Sequence, residues 1–256
     1  MIDILLLILA PLFFIVSFFY SSVGFGGGSS YIALLILVGV NLYTVPQIAL
    51  ALNILVSSIA FINYLKAGHM SFKISVPLLI SVPFAFIAGS IVLPEDILIT
   101  IFAVSLFAAS ITLLLSSNNT INLHQKIKKI NLNLVKTSLI TSPIGACLGS
   151  VAGLVGIGGG IWLSPILILT GLANPKQAAA AASLFILTNS ISGFVAHSIN
   201  KEINFDLIVP LAIIVIVGSI FGSRIGAFKF DHSKILIIIA VLVALAGINL
   251  TSRLFY

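Results

Sequence analysis

The chain has 256 residues, of which 60% are hydrophobic and only 7% charged, with a formal net charge of +6. A soluble domain carries about 25% charged residues, so a chain with a mean hydropathy of +1.28 has too little polar surface to cover a globule in water. The basic residues are scattered among short loops with little aromatic interleaving, which argues against a nucleic-acid surface, and the single cysteine, Cys147, excludes an internal disulfide or a cysteine metal cluster.

What remains is an all-α, polytopic helical membrane protein. The N-terminal run Leu5–Val16 follows Asp3 with no Lys or Arg before it, so it reads as a first membrane segment rather than a cleaved signal. Segments are predicted at 2–21, 26–41, 46–65, 74–93 and 97–115. After a polar stretch come 137–156, 160–173, 177–198, 206–226 and 235–252. This gives about 8–10 membrane segments in one transmembrane domain, 1–256. Repeat 1 covers about 1–115, a basic loop 116–136, and repeat 2 about 137–256. Lys126, Lys128, Lys129 and Lys136 fall in or beside the loop, as the positive-inside tendency expects. Cys147 is expected to be a small packing residue in an apolar, glycine-containing helix.

The two-repeat reading rests on a glycine hexamer. Val23-Gly24-Phe25-Gly26-Gly27-Gly28 returns 132 positions later as Val155-Gly156-Ile157-Gly158-Gly159-Gly160. Gly39 and Gly171 keep that spacing, Gln47 and Gln177 stand 130 apart, and Val76-Pro77 and Gly89-Ser90 recur 133 positions on as Val209-Pro210 and Gly222-Ser223. Glycine runs break helices and leave backbone N–H groups unshielded. Paired broken segments in two halves are the mark of a transporter with its site at the repeat interface.

Ile2–Val40 has 39 residues, enough for a helix of roughly 58 Å, so one straight span does not fit a ~30 Å hydrocarbon layer. Threaded as two spans or a re-entrant hairpin, it makes the repeats inverted and puts Lys66, Lys73, Lys126, Lys128, Lys129, Lys136, Lys176, Lys229 and Lys234 on one side. Glu95, Asp96, Lys201 and Arg253 then fall opposite, with both termini outside. Threaded as one broken span, it makes them parallel with a weaker charge split. The inverted arrangement is the expectation.

Candidate substrate-binding residues follow from the broken helices. The N–H groups at Gly26, Gly27, Gly28 and at Gly158, Gly159, Gly160 start half-helices whose positive ends suit an anion; the alternative is close helix packing. Ser29 and Ser30 either add hydroxyl donors or cap the helix. Asn53 and Ser57, one turn apart, and Ser183 and Asn189 are uncharged polar groups inside apolar segments, where they meet either substrate or another helix. Ser183 is paired with Asn53 at 130 positions. Arg224 either attracts the anion or snorkels to headgroups, and His197 reads as an interfacial helix-end residue. No cofactor or metal site is expected.

The run Gly156-Ile157-Gly158-Gly159-Gly160, Pro165, Gly171, the small-residue stretch Ala178–Ser183 and Gly222-Ser223-Arg224-Ile225-Gly226, with the earlier glycine copy, resembles the sulfite exporter TauE/SafE family. The resemblance spans nearly the whole chain. It implies a duplicated membrane permease for a small anion such as sulfite, a sulfonate or a related organosulfur or carboxylate anion. The chain departs from it internally: Ala33 stands where the second copy has Pro165, and Ser29-Ser30 where it has Ile161-Trp162.

The carboxylates, Asp3, Glu95, Asp96, Glu202, Asp206 and Asp231, fall at predicted helix ends. That disfavours cation-coupled pumping and fits an anion exporter in a bacterial cell membrane, working by alternating access. Alternatives are a permease for a cation or other small solute and a non-transport assembly protein. An intramembrane enzyme lacks its motifs, since neither Gly-x-Ser-x-Gly nor His-Glu-x-x-His occurs.

Overall fold

The computed structural model describes residues 2–91, 93–123, 133–199 and 203–229, with isolated positions 237, 241 and 244. The predicted segment 235–252 and the residues Lys126, Lys128, Lys129, Lys201, Glu202, Asp231, Lys234 and Arg253 lie outside this set. All regular structure among the described residues is helical: α1 (Ile2–Ser22), α2 (Gly28–Leu37), α3 (Val45–Lys66), α4 (Phe72–Leu78), α5 (Ser81–Gly89), α6 (Glu95–Leu123), α7 (Leu134–Val155), α8 (Gly160–Leu169), α9 (Pro175–Ser198) and α10 (Phe205–Phe228). Among the described residues, five stretches are long and apolar enough to cross a membrane: Val45–Lys66, Phe72–Gly89, Leu134–Val155, Pro175–Ser198 and Phe205–Phe228. The half-helices α2 and α8 have 10 residues each, about 15 Å or half a hydrocarbon layer.

Two boundaries differ from the sequence reading. The predicted segment 74–93 is broken between α4 and α5, because Pro83 has no N–H for the Leu79 carbonyl and its ring crowds that turn. The chain bridges the joint with three-residue turns, Ile80 N–H to Pro77 O and Val82 N–H to Leu79 O. Helix α6 also continues past residue 115 to Leu123, so the polar stretch begins as helix.

Paired contacts fix the helix directions. Tyr64 Oη donates to Ser22 O at 2.6 Å, Asn63 Nδ2 to Ser223 Oγ at 2.7 Å, and His69 Nε2 to Ala227 O at 3.0 Å. The C-terminal ends of α1, α3 and α10 therefore share one face of the bundle, and Lys176 Nζ, at the start of α9, donates there to Gly226 O. At the other face Gln47 Nε2, at the start of α3, donates to His197 O at 3.0 Å, and His197 Nε2 donates to Gly153 O at 2.9 Å. Gly89, at the end of α5, sits against Ala196 and Gly153. Helices α3 and α9 are thus antiparallel, and they are the most deeply buried of the long spans.

It follows that the chain crosses with α1, returns through residues 23–27 and α2, and crosses again with α3. It likewise crosses with α7 and returns through 156–159 and α8 before α9. Helices α3 and α9, each entered from a half-helix that follows a glycine loop, run in opposite directions.

The outer helices meet along glycine seams. Gly145, Gly149 and Gly153 of α7 press on Leu78, Ser81 and Ala85. Gly218, Gly222 and Gly226 of α10 press on Phe14 and Ser17, Phe18 and Ser21, and Ser22 of α1. Glycine every fourth residue lets two backbones touch along their length. Cys147 is not part of this packing: it lies on the exposed face of α7, between the seam positions Gly145 and Gly149.

Substituting Gly226 by Leu drives a side chain into the Ser22 backbone. The protein is expected to lose at least the ~1–3 kcal/mol of an overpacked core, read as a lower melting temperature in detergent. Gly193→Ala, whose Cβ would meet Leu50 side-chain atoms at 3.3 and 3.6 Å and the Gly153 Cα at an ordinary 3.9 Å, should change it little. Lys66, Lys73, Lys136, Lys176 and Lys229 all belong to one face, which is expected to be cytoplasmic. On a Cys147→Ala background, Lys66→Cys and Lys229→Cys should react with an impermeant maleimide only after the cells are opened, and Asp206→Cys in intact cells.

Candidate functional site

Both glycine runs form loops that only glycine can trace. Gly24 and Gly27 have φ of +80° and +96°, and Gly156, Gly158 and Gly159 lie at +75°, +79° and +76°, the left-handed region that side chains resist. Gly27 and Gly159 are the N-caps of α2 and α8, and neither receives a side-chain cap. The first N–H groups of each half-helix have no intrahelical acceptor, so their donors and the positive dipole end converge at membrane depth. The capping reading of Ser29 and Ser30 gives way here. They lie in the first turn, and both hydroxyls bond to Tyr20 Oη, at 3.1 and 2.7 Å.

Gly26, Gly28 and Gly160 have no positive φ; they are glycine for space. A Cβ on Gly26 would overlap Asn53 Oδ1, one on Gly28 would overlap Asn53 Nδ2, and one on Gly160 would overlap Ile186. Asn53 is wedged between the two loops. Its Nδ2 donates to the Ile157 carbonyl of the second loop at 3.0 Å, so α3 holds the loop of the other half of the chain. Ser57 donates to the Asn53 carbonyl, one turn back on its own helix.

The contacts are in a register different from the one read in the sequence. Gly24 meets Ala179 and Gly156 meets Pro46, and 179 exceeds 46 by 133. Asn53 faces Gly26 and Gly28, whereas Ile186, again 133 positions on, faces Gly158 and Gly160. The counterpart of Asn53 is therefore Ile186, and the 130-residue pairing with Ser183 does not describe the contacts. Helix starts that shift by three residues leave a sequence pairing anchored on Gln47 and Gln177 one turn out of step.

Ser183 is buried and donates to Ala180 O within α9. Asn189 donates through Nδ2 to Phe185 O of the same helix. Arg224 is exposed, on the face of α10 away from the Gly222–Gly226 seam, and is not brought to the glycine loops. His197 is buried rather than interfacial, tying α9 to α7. The structure adds two polar residues. Ser190, whose Oγ borders Gly158, stands 133 positions after Ser57, so the register of Val76-Pro77 and Val209-Pro210 already pointed to it. Tyr20 is one aromatic among several in an apolar helix, and nothing in the sequence marked it.

An all-helical bundle with two uncapped half-helices meeting at its centre defines a multi-pass membrane protein of transporter type. The chain belongs to the Sulfite exporter TauE/SafE family, which it matches over residues 9–250, and is a membrane transporter of that family. It is 29% identical over 243 residues to a probable membrane transporter protein of Sinorhizobium fredii, covering 94% of this chain and 96% of the relative. A probable membrane transporter protein of Methanocaldococcus jannaschii is 26% identical over 239 residues, 86% of each chain. Another from Bacillus subtilis is 32% identical over 110 residues, 42% of this chain and 39% of the relative. No solved structure matches the chain.

If Gly26 is glycine because Asn53 occupies its Cβ position, Gly26→Ala should lower the detergent melting temperature. Adding Asn53→Ala should then cost less than the two single losses summed. A coupling of ~0.5 kcal/mol or more in this double-mutant cycle checks the contact, and simple additivity would remove it.

Proposed function

We propose that this transporter moves a small anion, such as sulfite, a sulfonate or a carboxylate, across the cell membrane, most naturally outward, by alternating access. One observation carries the reading: the uncapped N-terminus of α2 at Gly28 and the loop leading into α8, at Ile157 and Gly158, are brought from opposite halves of the chain to the same asparagine. Two sets of N–H groups with converging positive dipole ends form a site of positive potential without any buried lysine or arginine. Ser190 Oγ borders Gly158, and Ser29 and Ser30 stand in the first turn of α2 with their hydroxyls on Tyr20.

The two halves are read as inverted repeats, and antiparallel α3 and α9 are the elements between which each half rocks. Alternately releasing the Tyr64–Ser22 and Lys176–Gly226 contacts at one face and those of Gln47, His197 and Gly153 at the other is the motion this reading requires. No coupling carboxylate is needed. An anion leaving an inside-negative cell gains ~2.3 kcal/mol per charge per 100 mV, and the described carboxylate Asp206 stands exposed at a helix start.

Purified protein in proteoliposomes should accumulate such anions under a valinomycin-set potential alone. Gly27→Leu and Gly159→Leu, which put branched side chains on left-handed backbone, should reduce flux at least ~10-fold if each loop supplies about 1.4 kcal/mol or more to the permeating state. Normal flux in both folded variants, or strict dependence on a proton or sodium gradient, overturns the reading.

A further inference from the structure

The centre of the bundle holds a hydrogen-bond acceptor that no protein group satisfies. Asn53 is 0% exposed and its Oδ1 has no partner. The orientation of the amide is fixed, because the atom facing the Ile157 carbonyl must be the donor Nδ2, which leaves oxygen on the other side. That oxygen lies against Gly26, while Nδ2 lies against Gly28 and Gly158. Ser190 Oγ, also fully buried and without a partner, borders Gly158 from α9.

A buried polar atom without a partner is costly because its lost hydration is not replaced, and native structures keep few of them without a use. The position of this one sharpens the point. Helix N-termini and hydroxyls around it suit negative charge, whereas an amide oxygen repels it. A fully deprotonated anion seated between the loops would face Oδ1 with another acceptor. A ligand that is anionic on one side and carries an O–H on the other satisfies both. In the second half Ile186 stands in the corresponding position, against Gly158 and Gly160, so no amide oxygen occupies it.

Resting on the anion-permease reading, we propose that the permeant anion brings its own hydroxyl donor, which Asn53 Oδ1 accepts, and that this contact selects among anions of equal charge. Ser190 Oγ and the N–H groups at Gly28 and Gly160 take the charged end. Two kinds of anion share this chemistry, a hydroxylated organic anion and a protonated inorganic oxyanion.

The test compares 2-hydroxyethanesulfonate with ethanesulfonate as flux substrates in proteoliposomes; both keep one negative charge across the accessible pH range. Hydrogencarbonate and nitrate, planar monovalent anions of which only the first has an O–H, are then compared as competitors. The hydroxylated member is expected to be favoured about tenfold. Preference in the sulfonate pair alone assigns the organic class, and preference in the inorganic pair alone assigns the protonated oxyanion. Equal behaviour in both pairs overturns the proposal and leaves the permease reading standing. Absence of anion flux above protein-free vesicles overturns both. Asn53→Leu, checked for folding by gel filtration, should abolish the preference, and a preference kept in that variant also overturns the assignment. If the variant does not fold, the wild-type pairs decide alone.

Discussion

The structure depends on holding two stretches of non-helical backbone at membrane depth. Hydrocarbon supplies no hydrogen bonds, so residues 23–27 and 156–159 can exist there only if protein encloses them on every side. Helices α3 and α9 provide that enclosure, and they do so by backbone-level contact: Gly24 on Ala179, Gly156 on Pro46, and Gly26, Gly28 and Gly158 around the Asn53 amide. Any side chain at these positions would push the loops away from the helices that shelter them. The glycines are thus needed twice over, some for left-handed φ and some for absent volume.

The same economy of volume organises the periphery. The α7 seam with α4 and α5 and the α10 seam with α1 are glycine-lined, so the outer pairs are as close as backbones allow. Hydrophobicity cannot drive such contacts in lipid, where tails are as apolar as side chains. Close packing and ties between polar groups take that role, as at Asn63 with Ser223, Ser192 with Val82 O, and His197 with Gly153 O. Loops built on rigid outer pairs, against an inner pair bonded at its ends, give a site that moves only when whole helices move.

The two loops share a backbone path but differ in chemistry. Tyr20, Ser29 and Ser30 form a bonded polar cluster beside the first, whereas Ile161 and Trp162 follow the second and are buried in the apolar core. Asn53 belongs to the first half and serves the second through Ile157. A centre with one polar and one apolar side presents different surfaces to the two ends of a ligand.

The sequence by itself determined the membrane class, the positions of both glycine helix breaks and the placing of lysines near segment ends. Each of these follows from local facts: apolar length, glycine runs and charge near segment ends. It also marked Asn53 as unusual, because an amide in hydrocarbon needs a partner wherever the helix lies. Tertiary structure alone decided what that partner is. The Asn53–Ile157 contact spans 104 residues, and only the packing of α3 and α9 shows that the 133-residue offset, rather than the 130 of Gln47 and Gln177, governs the loop contacts, with Ile186 and not Ser183 as the counterpart of Asn53. Orientation around a helix axis decided the rest. Arg224 and Cys147 sit two residues from seam glycines yet face outward, because 100° per residue separates the packed face from the lipid face.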